Sequence, residues 1–554
     1  MKGTHVIGVD FGTLSARAIL IDARNGREVA SAVHEYADGA IEHTLPGKKA
    51  RLPARTALQN PADHLTALEK TIPALLRKSR ISGDQVAAVG TDFTSCTVLP
   101  VQSDGTPLCF DKRLAGNLHA WPKLWKHHAA QPEADAINEL GVKRGEAFIP
   151  AYGGKYSSEW FFSKVLETAR QAPEVYRAAG YFTEACDWIV WQLTGQQTRN
   201  VSAAGFKGMR VHRKGGDWTY PSEDFFGALH PALKEVASEK LGGEVVQLGS
   251  PAGELTSAMA KRLKLPQGVV VCAGNIDAHA AVPACGVTEP GAMVMIMGTS
   301  TCHLLIGDSR KNVEGMCGVV EDGIVPGAWG YEAGQSGVGD LFDWYARNAP
   351  APVVDAARKA RVHPHEYLAR AGADAKPGES GLLALDWWNG NRSVLVNADL
   401  TGLMVGLTIH TTPAQIYRAL MEATAFGTRV ILEAFDKEGL PIRNLVASGG
   451  LAQKNPVLMQ IYADVLQRSI TVPSGAQSSA FGAAMWAAVA AGIHTDIRAA
   501  ARAMVPKKKT VYRPNGSRAS AYDRLYSEYL RLHDQFGRSA QSTMLALRQI
   551  QQGA

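Results

Sequence analysis

Three short stretches carry the residues of this chain best suited to chemistry. The first is Asp10-Phe11-Gly12-Thr13, set between the apolar residues Val6, Ile7 and Val9 and the run Ala16, Ala18, Ile19, Leu20. Glycine at a bend lets a ligand approach the backbone closely. Exposed N–H groups beside a threonine hydroxyl suit a phosphate. An adjacent aspartate suits Mg2+, a hard cation that takes oxygen ligands. An ordinary hairpin with a polar turn explains this stretch, taken alone, equally well. The second is Gly298-Thr299, where "GAMVMIMGTSTCHLLIG" (291–307) repeats the pattern of apolar run, glycine–threonine and apolar run. The third is Gly449-Gly450, after the apolar stretch "NLVAS", where two glycines leave room for a flat ligand against the backbone. Asn455-Pro456 then suits a helix start, asparagine as cap and proline in first position. No G-x-x-x-x-G-K-[ST] loop and no G-x-G-x-x-G fingerprint occurs, so nucleotide binding here would need another solution.

The elements that must hold these bends follow from periodicity. Two similar hairpins about half a chain apart, at 6–20 and 292–307, suggest a duplicated domain. Residues 61–79 read as a helix with Pro61 near its start, and 85–101 as two strands around a polar bend. "GVVVCAGNIDAHAAVPACG" (268–286) reads as strand, polar turn and a short helix of small residues, which places a domain boundary near 287. The expected domains are therefore 1–286 and 287–554. In 444–466 a strand and double glycine precede a helix with Val457, Leu458, Ile461, Tyr462, Val465 and Leu466 on one face. "GAAMWAAVAAGI" from Gly482 reads as a buried helix, too short to span a bilayer. Residues 519–536 read as amphipathic, with Leu525, Tyr529 and Leu532 on a stripe against the second domain. Residues 39–60 and 346–380 read as loops.

Bulk properties narrow the function classes. The 554 residues allow two or more domains, and 46% hydrophobic with 20% charged residues describes a globular chain. A net charge of +6 is thin for this length, and the short cluster Lys507–Lys509 reads as a solvated turn, so nucleic acid is not an expected partner. Seven cysteines, an odd number without C-x-x-C spacing, indicate neither a disulfide framework nor a zinc site and fit a reducing cytosol. Asp10 interrupts the first apolar run too early for a signal-peptide core, so neither secretion nor a membrane is expected. His127, His128 and His279 have no carboxylate or cysteine at metal-ligand spacing and read as structural histidines.

Three glycine bends at strand ends, without a P-loop, resemble the actin-like ATPase fold (ribonuclease H-like), with two α/β domains flanking a cleft. Within it the chain resembles the FGGY carbohydrate kinases over nearly its whole length. The resemblance is carried by "GVDFGTLSARA" (8–18), "GTDFTSCT" (90–97), "LWKHHAA" (124–130), "YGGKYSSEW" (152–160), "SAAGFKG" (202–208), "GNIDAHAAVPACG" (274–286), "GTSTCHLL" (298–305), "YEAGQSGVGD" (331–340), "LDWWNGNRS" (385–393), "EATAFGTR" (422–429) and "GGLAQKNP" (449–456). Many FGGY kinases place a lysine three residues before the tryptophan of the "SSEW" segment. Ser157 stands there in this chain, which argues against a xylulose or glycerol kinase and for the branch acting on L-ribulose.

The resemblance implies ATP-dependent phosphorylation of the L-ribulose 5-hydroxyl in L-arabinose catabolism, with ATP and Mg2+ as cofactors, in the cytoplasm. It implies Asp277 as the base for the sugar hydroxyl, and Ser95, Trp125, Lys207 and Glu332 as sugar contacts. It implies Gly12, Thr13, Gly298 and Thr299 as phosphate turns, Gly449, Gly450 and Asn455 as the adenosine site, and Asp10 as the magnesium-side carboxylate, acting through water. Bland readings compete: a turn aspartate for Asp277, core for Trp125, a surface charge for Lys207 and a helix cap for Glu332. D-ribulose or another ketopentose stays open as substrate, as does a catalytically silent sugar-sensing relative, and the sequence leaves a homodimer open.

Overall fold

The computed structural model describes residues 3–212, 218–475, 477–539 and 541–553. The opening hairpin is strands β1 (His5–Phe11) and β2 (Ser15–Asp22), paired antiparallel with Val9 opposite Ala18. Its turn closes with Gly12 N–H donating to the Ser15 carbonyl at 3.0 Å. β3 (Arg27–Glu35) extends the hairpin, and β4 (Val86–Phe93) joins the other side of β1 in parallel. Val270–Cys272 adds a second parallel strand and Pro251–Glu254 an antiparallel edge. Helix α1 (Pro61–Ser79) begins where the Asn60 side chain accepts from Ala62 N–H at 2.9 Å and ends at Arg80 in the left-handed region.

The second half repeats this plan. Trp329–Gln335, Thr301–Gly307 and Ala292–Met297 form three antiparallel strands, Asn444–Ser448 and Ile470–Pro473 follow in parallel, and Lys509–Tyr512 closes an antiparallel edge. Strand order and direction thus correspond across the two sheets, as the repeated hairpins imply; Gly318–Glu321 adds an outer strand to the second.

The halves are interleaved by one helix. Ser478–Ala490, formed by the second half, lies on the first sheet. Gly8 and Gly90 make that possible, since a Cβ on either would strike the Ala480 or Ala483 carbonyl. Gly482 on this helix likewise lets it press on the Ala280 carbonyl of the helix Asp277–Ala284.

Three details differ from the sequence reading. Residues 346–380 contain the helices Ala351–Lys359 and Pro364–Ala371, whose prolines start helices rather than mark loops. Gly450–Lys454 forms a short helix before Pro456–Leu466. In the tail helix Ala519–Asp534 the buried stripe is Tyr522, Tyr526, Tyr529 and His533, while Leu525 and Leu532 are only partly buried. The tyrosines win that face because each hydroxyl finds an acceptor: Glu422 at 3.1 Å, Glu433 at 2.7 Å and Asp386 at 2.9 Å.

Candidate active site

A cavity of about 590 Å³ opens between the two sheets. It brings together Asp10, Gly12 and Thr13 from the first hairpin, Gly298 and Thr299 from the second, and Gly449 and Gly450 from the third bend. Gly449 has φ +95°, where a side chain would also meet the Met297 carbonyl, whereas a Cβ on Gly450 would meet nothing within 4 Å. The two hairpin turns therefore face one space from opposite sides. Asn455 is not brought into this lining. Its Oδ1 accepts from Leu458 N–H at 3.0 Å and caps the helix Pro456–Leu466, while Gln453 and Lys454 reach the cavity instead.

Ser95, Trp125, Lys207, Asp277 and Glu332 line the same cavity. Trp125 is half-buried, and its Nε1–H donates to Thr13 Oγ1 at 3.1 Å, which ties the aromatic wall to the first glycine–threonine turn. Lys207 and Glu332 are buried, the first carried by the N-terminal half and the second by the strand Trp329–Gln335. The Lys207 ammonium lies 2.7 Å from both Glu332 oxygens. His279 Nε2 is 3.1 Å from Glu332 Oε2, and its Nδ1 is 2.7 Å from Ser202 Oγ. These partners fit an Nε2–H tautomer, with Ser202 donating to Nδ1 and the ring donating to the carboxylate. Burial alone would raise the Glu332 carboxyl; Lys207 and His279 reverse that and hold it well below the usual range. His279 is thereby a structural histidine, as expected, and so is His127, which lies 3.0 Å from Glu167 Oε2 and accepts from Ala57 N–H.

Asp277 starts its helix at the cavity wall, with Oδ1 accepting from Ala278 N–H at 2.7 Å. Burial, followed by the Asp10 charge, pushes its carboxyl up to about 7. Asp10 is raised by burial as well, against the opposing pull of Arg17, whose Nη1 is 3.6 Å away.

Three charged groups escaped the sequence reading, two of which, Glu159 and Arg392, line the cavity. Asp92, paired with Asp10 across β1 and β4 and behind the cavity lining, is fully buried, and neither oxygen meets an N–H or hydroxyl donor among the described residues. A lone aspartate in the apolar run Val86–Phe93 was the available signal. Glu159 and Arg392 pair across the cavity at 3.1 Å, 233 residues apart in sequence, with the guanidinium 5.4 Å from the Trp125 ring centre. Burial alone would raise Glu159; Arg392 and His128 hold it below its ordinary value. No local pattern predicts a pair so distant.

Comparison with known proteins fits this geometry. Residues 5–283 match the N-terminal domain model, and 293–491 the C-terminal domain model, of the FGGY family of carbohydrate kinases. The chain belongs to the FGGY family of carbohydrate kinases. It is 50% identical over 553 residues to a ribulokinase of Anoxybacillus flavithermus, covering 99% of this chain and 97% of that one. It is 47% identical over 537 residues to a ribulokinase of Mycolicibacterium smegmatis, covering 97% and 94%. Among solved structures it shares the fold of a xylulose kinase from Rhodospirillum rubrum, with TM-score 0.77, 22% identity and 96% and 99% of the two chains covered. A gluconate kinase from Lactobacillus acidophilus aligns with TM-score 0.78 at 19% identity, covering 97% and 98%.

For an FGGY kinase the layout is chemically coherent. Phosphoryl transfer asks the protein mainly for positioning and charge stabilisation, with a carboxylate near the attacking hydroxyl. The two glycine–threonine turns offer backbone N–H groups and hydroxyls on either side of a cavity whose wall carries Asp277. A carboxyl titrating near neutrality suits proton transfer at physiological pH. The Lys207–Glu332 pair offers a donor and an acceptor whose charges cancel, which suits an uncharged sugar. No described helix is long and apolar enough to cross a membrane.

Proposed function

We propose that this kinase transfers the γ-phosphoryl group of ATP to the 5-hydroxyl of L-ribulose, giving L-ribulose 5-phosphate and ADP, as a cytoplasmic step of L-arabinose catabolism. The observation that carries the reading is identity of about half, end to end, with proteins named ribulokinase. The cavity supports it by grouping Asp277 with Lys207 and Glu332.

In this reading Asp277 accepts the proton of the 5-hydroxyl as that oxygen attacks phosphorus. Lys207 and Glu332 hold sugar hydroxyls, Ser95 adds a hydroxyl contact, and Trp125 walls the carbon face. Gly12, Thr13, Gly298 and Thr299 receive the phosphates, and Gly449 and Gly450 seat adenosine; Asn455 supports that seat only as the cap of the next helix. The first half, 1–286, carries the base, and the second, 287–554, the adenosine seat.

The donor set fits Mg2+. Among the described residues no three His, Cys, Asp or Glu form a cage, and Mg2+ ordinarily takes one or two carboxylates plus water and substrate phosphates. Asp10 would hold it, with the donor-free oxygens of Asp92 behind. The ion would neutralise charge on the nucleotide phosphates.

The test is kcat/KM from ADP release with L-ribulose, D-ribulose and both xyluloses on one preparation. L-ribulose is expected to lead. A wrongly placed hydroxyl leaves a buried polar group unpaired at about 1–3 kcal/mol, or roughly 5- to 150-fold. A higher value for either xylulose overturns the ribulose reading, and no turnover of any pentulose overturns the substrate class.

A further inference from the structure

Thr13 has two oxygens, and each is held by a side chain from outside its hairpin. The Trp125 indole donates to Oγ1 at 3.1 Å. The Gln59 amide donates to the Thr13 carbonyl at 2.9 Å and reaches the Gly12 carbonyl at 3.4 Å. The two ends of an amide are told apart by their neighbours. Here both neighbours are carbonyl oxygens, so the nitrogen must face them. Gln59 is fully buried and does not line the cavity, so it holds these carbonyls from behind the turn.

The two donors arrive together. Residues 57–59 and 122–124 run antiparallel, with Gln59 N–H donating to the Pro122 carbonyl at 3.0 Å and Leu124 N–H to the Ala57 carbonyl at 2.9 Å. The buried Lys164 ammonium donates to the Lys123 and Leu124 carbonyls at 3.3 Å and 2.9 Å, just before Trp125. The backbone that presents the amide and the indole therefore cannot shift without breaking several buried hydrogen bonds.

This arrangement decides what Thr13 can offer. A hydroxyl has one proton and two lone pairs, whereas an indole N–H only donates. With Trp125 on one lone pair, the Thr13 hydroxyl proton lies elsewhere, and it has no acceptor among the described residues. It is left for an oxygen in the cavity that Thr13 lines. Carbonyl oxygens repel a phosphate, whereas N–H groups attract it. Gln59 draws two carbonyls of the turn onto itself. Trp125 also lines the cavity, so one side chain touches both the sugar space and the turn.

We propose that Trp125 and Gln59 are positioning residues that clamp Thr13, aiming its hydroxyl proton at a nucleotide phosphate, and that Trp125 thereby ties the sugar wall to the phosphate site. This rests on the reading that the Gly12–Thr13 turn receives a phosphate of ATP.

The experiment is a double-variant cycle on Trp125→Phe and Thr13→Val. It reads kcat/KM for ATP from ADP release with the ketopentose that wild type uses, scaled to the folded fraction given by the unfolding amplitude. Trp125→Phe keeps an aromatic wall and loses the N–H donor. It is expected to lower kcat/KM for ATP about 2- to 10-fold, the scale of one hydrogen bond. In Thr13→Val, which has no hydroxyl to hold, the same substitution is expected to cost nothing further on that measure. Equal losses in the two backgrounds, or a change confined to KM for the sugar, overturn the proposal. Gln59→Met removes the other donor at similar length, and this arm serves alone if Thr13→Val does not fold. It is expected to lower kcat/KM for ATP and leave KM for the sugar unchanged; an unchanged kcat/KM for ATP overturns the proposal. If wild type turns over no ketopentose, the substrate reading fails by itself, and the same cycle is judged by Kd for a non-hydrolysable ATP analogue without sugar.

Discussion

Replacing Asp277 by Asn should move activity and stability in opposite directions. The amide keeps Oδ1, which accepts from Ala278 N–H at 2.7 Å, so the helix start is preserved. It cannot take a proton, and loss of a general base commonly costs about 10²–10⁴-fold in turnover. Stability responds to the other property of this carboxyl, its rise from 3.8 to about 7 through burial and then Asp10. Between about pH 4 and pH 7 the folded state holds a proton that the unfolded state has released, so wild-type stability falls as pH rises through that window and levels off above it. At about 1.36 kcal/mol for each tenfold change in proton affinity, the full penalty is about 4 kcal/mol, and about half that once water in the cleft is allowed for. The Asn variant escapes it. The assay pairs ADP release with thermal unfolding of nucleotide-free, chelator-treated protein at pH 5 and pH 8. Tm of the variant should exceed that of wild type at pH 8, with a smaller gap at pH 5. Turnover near wild type would refute the base assignment; a Tm gap that does not widen with pH would refute the burial argument.

Gly449→Ala forces a side chain onto the Met297 carbonyl at a φ of +95°, so KM for ATP should rise more than KM for the sugar in initial-rate kinetics. Gly482→Ala should press on the Ala280 carbonyl and shift the Asp277 helix; overpacking costs about 1–3 kcal/mol, and kcat should fall together with Tm, although residue 482 does not line the cavity. Lys207→Met strands the Glu332 carboxylate in a buried site, a loss of about 3–5 kcal/mol, so Tm should drop at pH 8 and recover partly toward pH 5 as Glu332 protonates.

What this sequence determined by itself is local or concerns family. The hairpins around Gly12-Thr13 and Gly298-Thr299 were legible because two short apolar runs joined by a glycine turn encode a strand pair within about twenty residues. Helix α1 was legible from its period and from Pro61, and the assembled motifs pointed to the FGGY kinases, now matched over both domains. The tail showed its amphipathic period but not its buried face, because Tyr522, Tyr526 and Tyr529 take that face through acceptors on other segments. Only the tertiary structure decided that Lys207 and Glu332 neutralise each other, that Arg392 meets Glu159, that Asn455 turns to its own helix, and that the helix Ser478–Ala490 lies on the opposite sheet. The physical reason is reach. Periodicity and turn chemistry act between near neighbours, whereas a charge finds its partner 125 or 233 residues away only once the two halves have folded against each other.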